Sequence, residues 1–159
     1  MPRIKVATAV LNQTPMARET NTKNIIDAID EARRPQVRLL CLPELCITGY
    51  GCEDYYFAYD LEQQAQRCLL EIVEHTQDMM VAVGLPLRHN NRLYDVACLV
   101  ANKRILGFYC KQNLANNGIH YEARWFHKWP AGVVESTTIQ NIAYPIGDVI
   151  FDVSGVRIA

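Results

Sequence analysis

Apolar residues in this chain gather in short runs, and two stretches between those runs repeat at helical spacing. Arg3 to Val10, small and β-branched, ends at Asn12-Gln13-Thr14-Pro15 and predicts a buried first strand. Asn24 to Arg33 sets Ile25, Ile26 and Ile29 on one helical face, and Pro35 ends it. Val37 to Leu42 predicts a second strand, closed by Pro43 because proline cannot donate to a sheet ladder. Strand, helix, strand implies a parallel pair. Leu61, Ala65, Cys68, Leu69, Ile72 and Val73 then mark an amphipathic helix whose other face is Glu and Gln. Met79 to Leu85 predicts a third strand, and Leu93 to Ala101 with Ile105 to Cys110 predicts a hairpin about Asn102-Lys103-Arg104. Lys111 to Thr138 has neither period and reads as a long loop, a feature usually tied to function in compact domains. Ile142 to Phe151 resumes strand character. The last residues, Val156-Arg157-Ile158-Ala159, form an apolar strand end that would be left bare, so the chain is expected to be part of something longer.

Composition narrows the class. With 159 residues, half of them hydrophobic, and no repeat, low-complexity tract or linker, residues 1–159 are expected to share a single core. Sixteen basic and 17 acidic residues give a net charge of -1 without like-charge runs, which argues against nucleic acid or a membrane surface as partner. The apolar stretch from Val6 to Leu11 is interrupted by Thr8 and is too short for a signal core, so a soluble, cytoplasmic protein is expected. Cysteines 41, 46, 52, 68, 98 and 110 form no C-x-x-C pair and lie mostly in apolar segments, where reduced thiols behave as small hydrophobes. No metal site is expected from them.

Two charged residues stand where open α/β sheets place their ligands, at the carboxyl ends of predicted strands. Glu44 follows the second strand and could serve as a general base, or could simply cap a helix. Lys111 follows Phe108-Tyr109-Cys110 and could stabilise an oxyanion, or be an ordinary solvated charge. A nucleophile is harder to find. Cys110 should face away from Lys111, because strand neighbours alternate, whereas Cys46 and Cys52 share a loop with Gly49 and Gly51 and could approach a substrate. Gly49-Tyr50-Gly51 lacks the rest of a dinucleotide fingerprint. His120-Tyr121-Glu122 lacks the P-C-x-x-C of a zinc deaminase and is expected to be part of the loop's architecture.

Leu-Pro-Glu44-Leu-Cys-Ile-Thr-Gly-Tyr50-Gly-Cys-Glu-Asp, with Lys111-Gln-Asn-Leu-Ala-Asn-Asn-Gly-Ile-His-Tyr-Glu122-Ala-Arg-Trp-Phe, resembles the glutaminase domain of the glutamine-dependent NAD synthetases. The resemblance runs the length of the chain, and the second motif is the more specific to that family. It implies the amino-terminal part of a nitrilase-type, four-layer α/β/β/α sandwich and a Glu, Lys, Cys catalytic trio. Glu44 matches the general base, Lys111 the cation facing the tetrahedral intermediate, and Glu122 a second glutamate that orients the site. Tyr50 matches a tyrosine of the glutamine pocket, and Asn117 stands where many bacterial members carry a glutamine-contacting tyrosine. The family's nucleophilic cysteine would follow the strand that begins at Val156, beyond Ala159, which leaves the trio incomplete and residues 1–159 inactive alone. The resemblance further implies L-glutamine as substrate, no cofactor in this part, and a synthetase domain of the same parent chain that uses ATP and magnesium. It also implies a homo-oligomer. Two alternatives stand beside it: another nitrilase-superfamily amidase or carbamoylase, and a non-catalytic truncated module.

Overall fold

The computed structural model describes residues 3–159. Its strands are β1 (Val6–Thr8), β2 (Leu39–Cys41), β3 (Met80–His89), β4 (Arg92–Ala101), β5 (Arg104–Cys110), β6 (Val134–Ile139), β7 (Ile142–Gly147), β8 (Phe151–Val153) and β9 (Val156–Ile158). Two helices, α1 (Arg18–Arg33) and α2 (Tyr59–Val73), precede β2 and β3. Seven strands form one sheet in the order β1-β2-β3-β4-β5-β7-β6, and β8 pairs with β9 separately.

Each α/β crossover delivers a parallel strand: β1, β2 and β3 are mutually parallel, as the strand-helix-strand pattern implies. The β3-β4 and β4-β5 hairpins are antiparallel, so β5 runs the same way as β2. The carboxyl ends of β2 and β5 therefore share one edge of the sheet, and β4 begins there. Alternation divides the side chains between two faces. Val81, Val83, Leu85 and Leu87 of β3, with Val96, Cys98 and Val100 of β4, pack with Ile25 and Ile29 of α1 and Leu69 and Ile72 of α2. On the other face Leu39, Met80 and Leu99 meet Phe151 and Val153 of the β8-β9 hairpin.

Several boundaries differ from the sequence expectation. α1 begins at Arg18 rather than Asn24, because the residues its first turns bury, Asn21 and Thr22, are polar and leave no apolar period to read. Asn21, wholly buried, accepts from Thr14 N–H and donates to the Thr14 and Ile47 carbonyls. The long loop ends earlier than expected, since β6 occupies Val134–Ile139. This edge strand buries only Thr137 and Ile139, so it carries little apolar signal. The expected strand Ile142–Phe151 is two strands, β7 and β8, on different sheets. Residue pairs Asn90-Asn91, Asn102-Lys103 and Gln140-Asn141 all have positive φ, the conformation of two-residue hairpin turns matched to strand twist.

The segment after β2 is pressed against β3. Leu42 N–H donates to the Ala82 carbonyl and Ile47 N–H to the Gly84 carbonyl, so residues 42–47 cross directly over Gly84. A Cβ at Gly84 would lie 2.4 Å from the Leu45 nitrogen and 2.8 Å from the Pro43 oxygen, both backbone atoms. Gly84→Ala must therefore push the Pro43-to-Leu45 backbone away. It is expected to lower stability by about 1–3 kcal/mol, the cost of overpacking, read as a lower urea midpoint at unchanged m-value. Gly51→Ala, whose Cβ would meet only the Pro15 ring at 3.3 Å, should shift the midpoint less.

Candidate active site

Glu44 leaves the sheet three residues after β2, on a turn that Leu45 completes at φ 49°. The strained Leu45 is fully buried and held by its neighbours, as expected of unusual backbone near a functional side chain. Beyond it Gly49, at φ 79°, passes within 2.9 Å of the Pro15 backbone as measured from an ideal Cβ, so this turn admits only glycine. Tyr56 anchors this turn by donating to the Gly49 and Tyr50 carbonyls.

Lys111 follows β5, where its N–H donates to the Asp95 carbonyl of β4 and its carbonyl accepts from Trp129 N–H. Glu122 starts a 3-10 turn, Glu122–Arg124. The two sequence motifs dock through a small core of Leu45, Tyr56, Leu61, Leu93, Trp125 and Phe126. At its rim Arg124 makes a bidentate pair with Asp54, and Tyr121 donates to Glu53. These contacts place Tyr50 and Glu122 beside the ends of β2 and β5.

The Lys111 ammonium is the hub. It donates to Glu44 Oε1, contacts Glu122 Oε1 and Oε2 at 2.9 and 2.8 Å, and lies 3.6 Å from Asp95 Oδ2. Glu122, 1 % exposed, also accepts from Tyr50 Oη at 2.7 Å and from Ala115 N–H at 2.7 Å. His120 Nδ1 completes the chain, 2.9 Å from Tyr50 Oη. Desolvation disfavours charge on both Glu122 and Lys111, but their hydrogen bonds outweigh it: the carboxyl is held below its usual range and the ammonium above its own. Both are charged at neutral pH. Burial and the Glu122 hydrogen bond push the Tyr50 phenol up, so it stays a donor.

Glu44, Lys111, Glu122 and Tyr50 are thus brought together, as the motifs implied. Asn117 is not part of the cluster. It sits on an exposed turn in which its carbonyl accepts from His120 N–H. Burial falls less on Glu44, whose side chain is 41 % exposed, than on Glu122 and on Asp95. Sequence reading missed Asp95, although its signal was present: a carboxylate inside the apolar run Leu93 to Val100. The Glu44, Asp95 and Glu122 carboxylates offer oxygens within 4.8 Å of one another, a grouping that can hold a cation, and the Lys111 ammonium already lies among them.

A cavity of about 230 Å³ opens on this cluster, lined by Pro43, Glu44, Gly84, Asp95, Tyr109 and Lys111 among others, with no cysteine in its lining. Three thiols were candidates to attack a substrate. Cys46 and Cys110 are at most 1 % exposed, and burial pushes both thiols up to about 12. Cys52 is buried too, its thiol raised by desolvation while it donates to the Thr48 and Gly49 carbonyls. All three are structural thiols.

A family profile, Carbon-nitrogen hydrolase, matches residues 5–159. The chain belongs to the carbon–nitrogen hydrolase family. It superimposes on a glutamine-dependent NAD(+) synthetase from Cytophaga hutchinsonii with a TM-score of 0.94 and 45 % identity, covering 97 % of this chain and 27 % of that one. A glutamine-dependent NAD(+) synthetase of Arabidopsis thaliana is 39 % identical over 131 residues, 81 % of this chain and 18 % of that protein. An amidase from Nesterenkonia sp. shares the fold at a TM-score of 0.67 and 18 % identity, over 88 % of this chain and 53 % of that one. The fold is therefore nitrilase-type, and the chain spans about a fifth to a quarter of the synthetases it matches. Among the described residues no helix is long and apolar enough to cross a membrane.

Removing the hub leaves buried carboxylates unpaired. Lys111→Met is expected to cost about 3 kcal/mol at pH 7, the scale of breaking a buried pair from one side. Because the Glu122 carboxyl is depressed in the folded state, its contribution is present above the unfolded carboxylate range and is lost as pH falls through its folded value. The gap between wild type and Lys111→Met, measured by urea unfolding, should therefore narrow from pH 7 to pH 4. A gap that widens on acidification would contradict the assignment.

Proposed function

We propose that this chain forms part of a glutaminase domain that releases ammonia from L-glutamine for the amidation step of a glutamine-dependent NAD synthetase. The observation that carries it is the contact between Glu44 and Lys111 at the mouth of one cavity, in a chain 39 to 45 % identical to two glutamine-dependent NAD(+) synthetases. Glu44 is the general base, partly exposed and lining the cavity. It takes the proton from an attacking thiol, gives it to departing ammonia and then activates water. Lys111, kept cationic by its carboxylates, faces the oxyanion of the tetrahedral intermediate. Glu122 holds the ammonium in place and Tyr50 borders the glutamine site.

The attacking cysteine is proposed to come from polypeptide other than residues 1–159. The cysteine-free lining of the cavity and the raised thiols of Cys46, Cys52 and Cys110 support that reading. The synthetase domain, with its ATP and magnesium, is likewise placed outside these residues. The same reading makes residues 1–159 alone unable to form a glutamyl thioester.

In a polypeptide carrying both the whole hydrolase domain and the synthetase domain, Glu44→Gln and Lys111→Ala should each lower glutamine-dependent NAD formation by at least about 100-fold. Free ammonia should still support it. Steady-state assays with either nitrogen source check this. Loss of the ammonia-dependent reaction as well, or glutaminase turnover by residues 1–159 alone, would overturn the assigned roles. Hydrolysis of other amides with glutamine untouched would move the protein to a different amidase class.

A further inference from the structure

Three carboxylates converge on one ammonium, and one of them has a buried oxygen with no hydrogen bond. Asp95 is 4 % exposed, and its Oδ2 makes no hydrogen bond, the nearest cation being Lys111 Nζ at 3.6 Å. Lys111 is already committed to Glu44 and Glu122 at shorter range. With all three acids ionised the cluster would carry a net charge of -2 in a partly buried pocket, at the place where a thiolate or an oxyanion must form. An orphaned, buried carboxylate oxygen is costly. A single proton removes both problems, because a neutral carboxyl has a donor and the Glu44 carboxylate beside it is an acceptor.

We propose that Asp95 is a positioning residue of this site: a neutral carboxylic acid that donates a hydrogen bond to Glu44 and holds that carboxylate ionised at the cavity. This rests on the reading of Glu44 as the base and deepens it. Two hydrogen bonds, from Asp95 and Lys111, leave about two of the four lone-pair sites of Glu44 for a thiol and for ammonia. Net charge falls to -1, and transfer of the thiol proton to Glu44 then proceeds with no charge on the Asp95 carboxyl beside it. The groups facing Asp95 agree on the direction. Burial and the Glu44 and Glu122 charges favour its neutral form, as does the proposed hydrogen bond to Glu44, and only Lys111 opposes them. Tyr56 and Cys110, the remaining titratable neighbours, are themselves held neutral.

The first test is nuclear magnetic resonance of the 159-residue chain labelled at the aspartate side-chain carboxyl carbon, with Asp95→Asn to assign the signal. Asp95 is expected to remain protonated at pH 7, and Glu44→Gln should bring its titration down. An Asp95 that titrates near the ordinary aspartate value of about 3.9 overturns the proposal, whatever the protein hydrolyses. The second test compares variants in the protein that carries the whole hydrolase domain. Asp95→Asn, neutral and still a donor, should keep kcat within about tenfold, while Asp95→Ala should lose about 100-fold in kcat with little change in KM. In wild type the alkaline limb of kcat/KM should follow the Asp95 titration seen by resonance, and in Asp95→Asn it should move to higher pH. Equal losses in both variants, or an alkaline limb unmoved in Asp95→Asn, would reject the role. A protonated Asp95 in a protein that leaves glutamine intact would instead sink the proposed function.

Discussion

A single ammonium group holds three segments of this fold in register. Lys111 reaches the carboxylates after β2, within β4 and at the 3-10 turn of the long loop. Each of those segments would otherwise carry negative charge into the same partly buried space. One cation offsets one unit of negative charge, so the remaining carboxylates must either find other hydrogen bonds or take up a proton. Glu122 takes the first course, through Tyr50 and Ala115, and Asp95 the second. The division of labour among the acids follows from that arithmetic of charge.

The sheet exists, for this purpose, to bring those groups to one edge. Two helical crossovers make β1, β2 and β3 parallel, two hairpins return β5 in the direction of β2, and so residues 67 positions apart emerge side by side. The bare Cα of Gly84 lets the Glu44 turn lie flat on β3, and the buried Asn21 ties that turn to the start of α1. The docking of Tyr56 with Trp125 and Phe126 then carries the second motif onto the first.

Much of this was legible in the sequence where burial is apolar. α2, with its apolar positions from Leu61 to Val73, and the β4-β5 hairpin stand close to where periodicity put them. Glu44, Tyr50, Lys111 and Glu122 were legible through motifs. What periodicity could not show is the burial of polar side chains: Asn21, held by hydrogen bonds in the first turns of α1, and Asp95 inside β4. β6 escaped for the opposite reason, since an edge strand that buries two side chains has almost no apolar pattern to read. Asn117 carries a role by resemblance alone, and its exposed turn adds nothing to that role.

The shared hub is tested most directly by a double-mutant cycle between Lys111 and Glu122, using Lys111→Met, Glu122→Gln and the pair, with unfolding free energies measured at pH 7. Direct contact within a buried charge cluster predicts a coupling of about 2–3 kcal/mol. Additive losses, equal within about 0.5 kcal/mol, would mean that the two side chains do not hold one another and that the cluster is not organised around the ammonium.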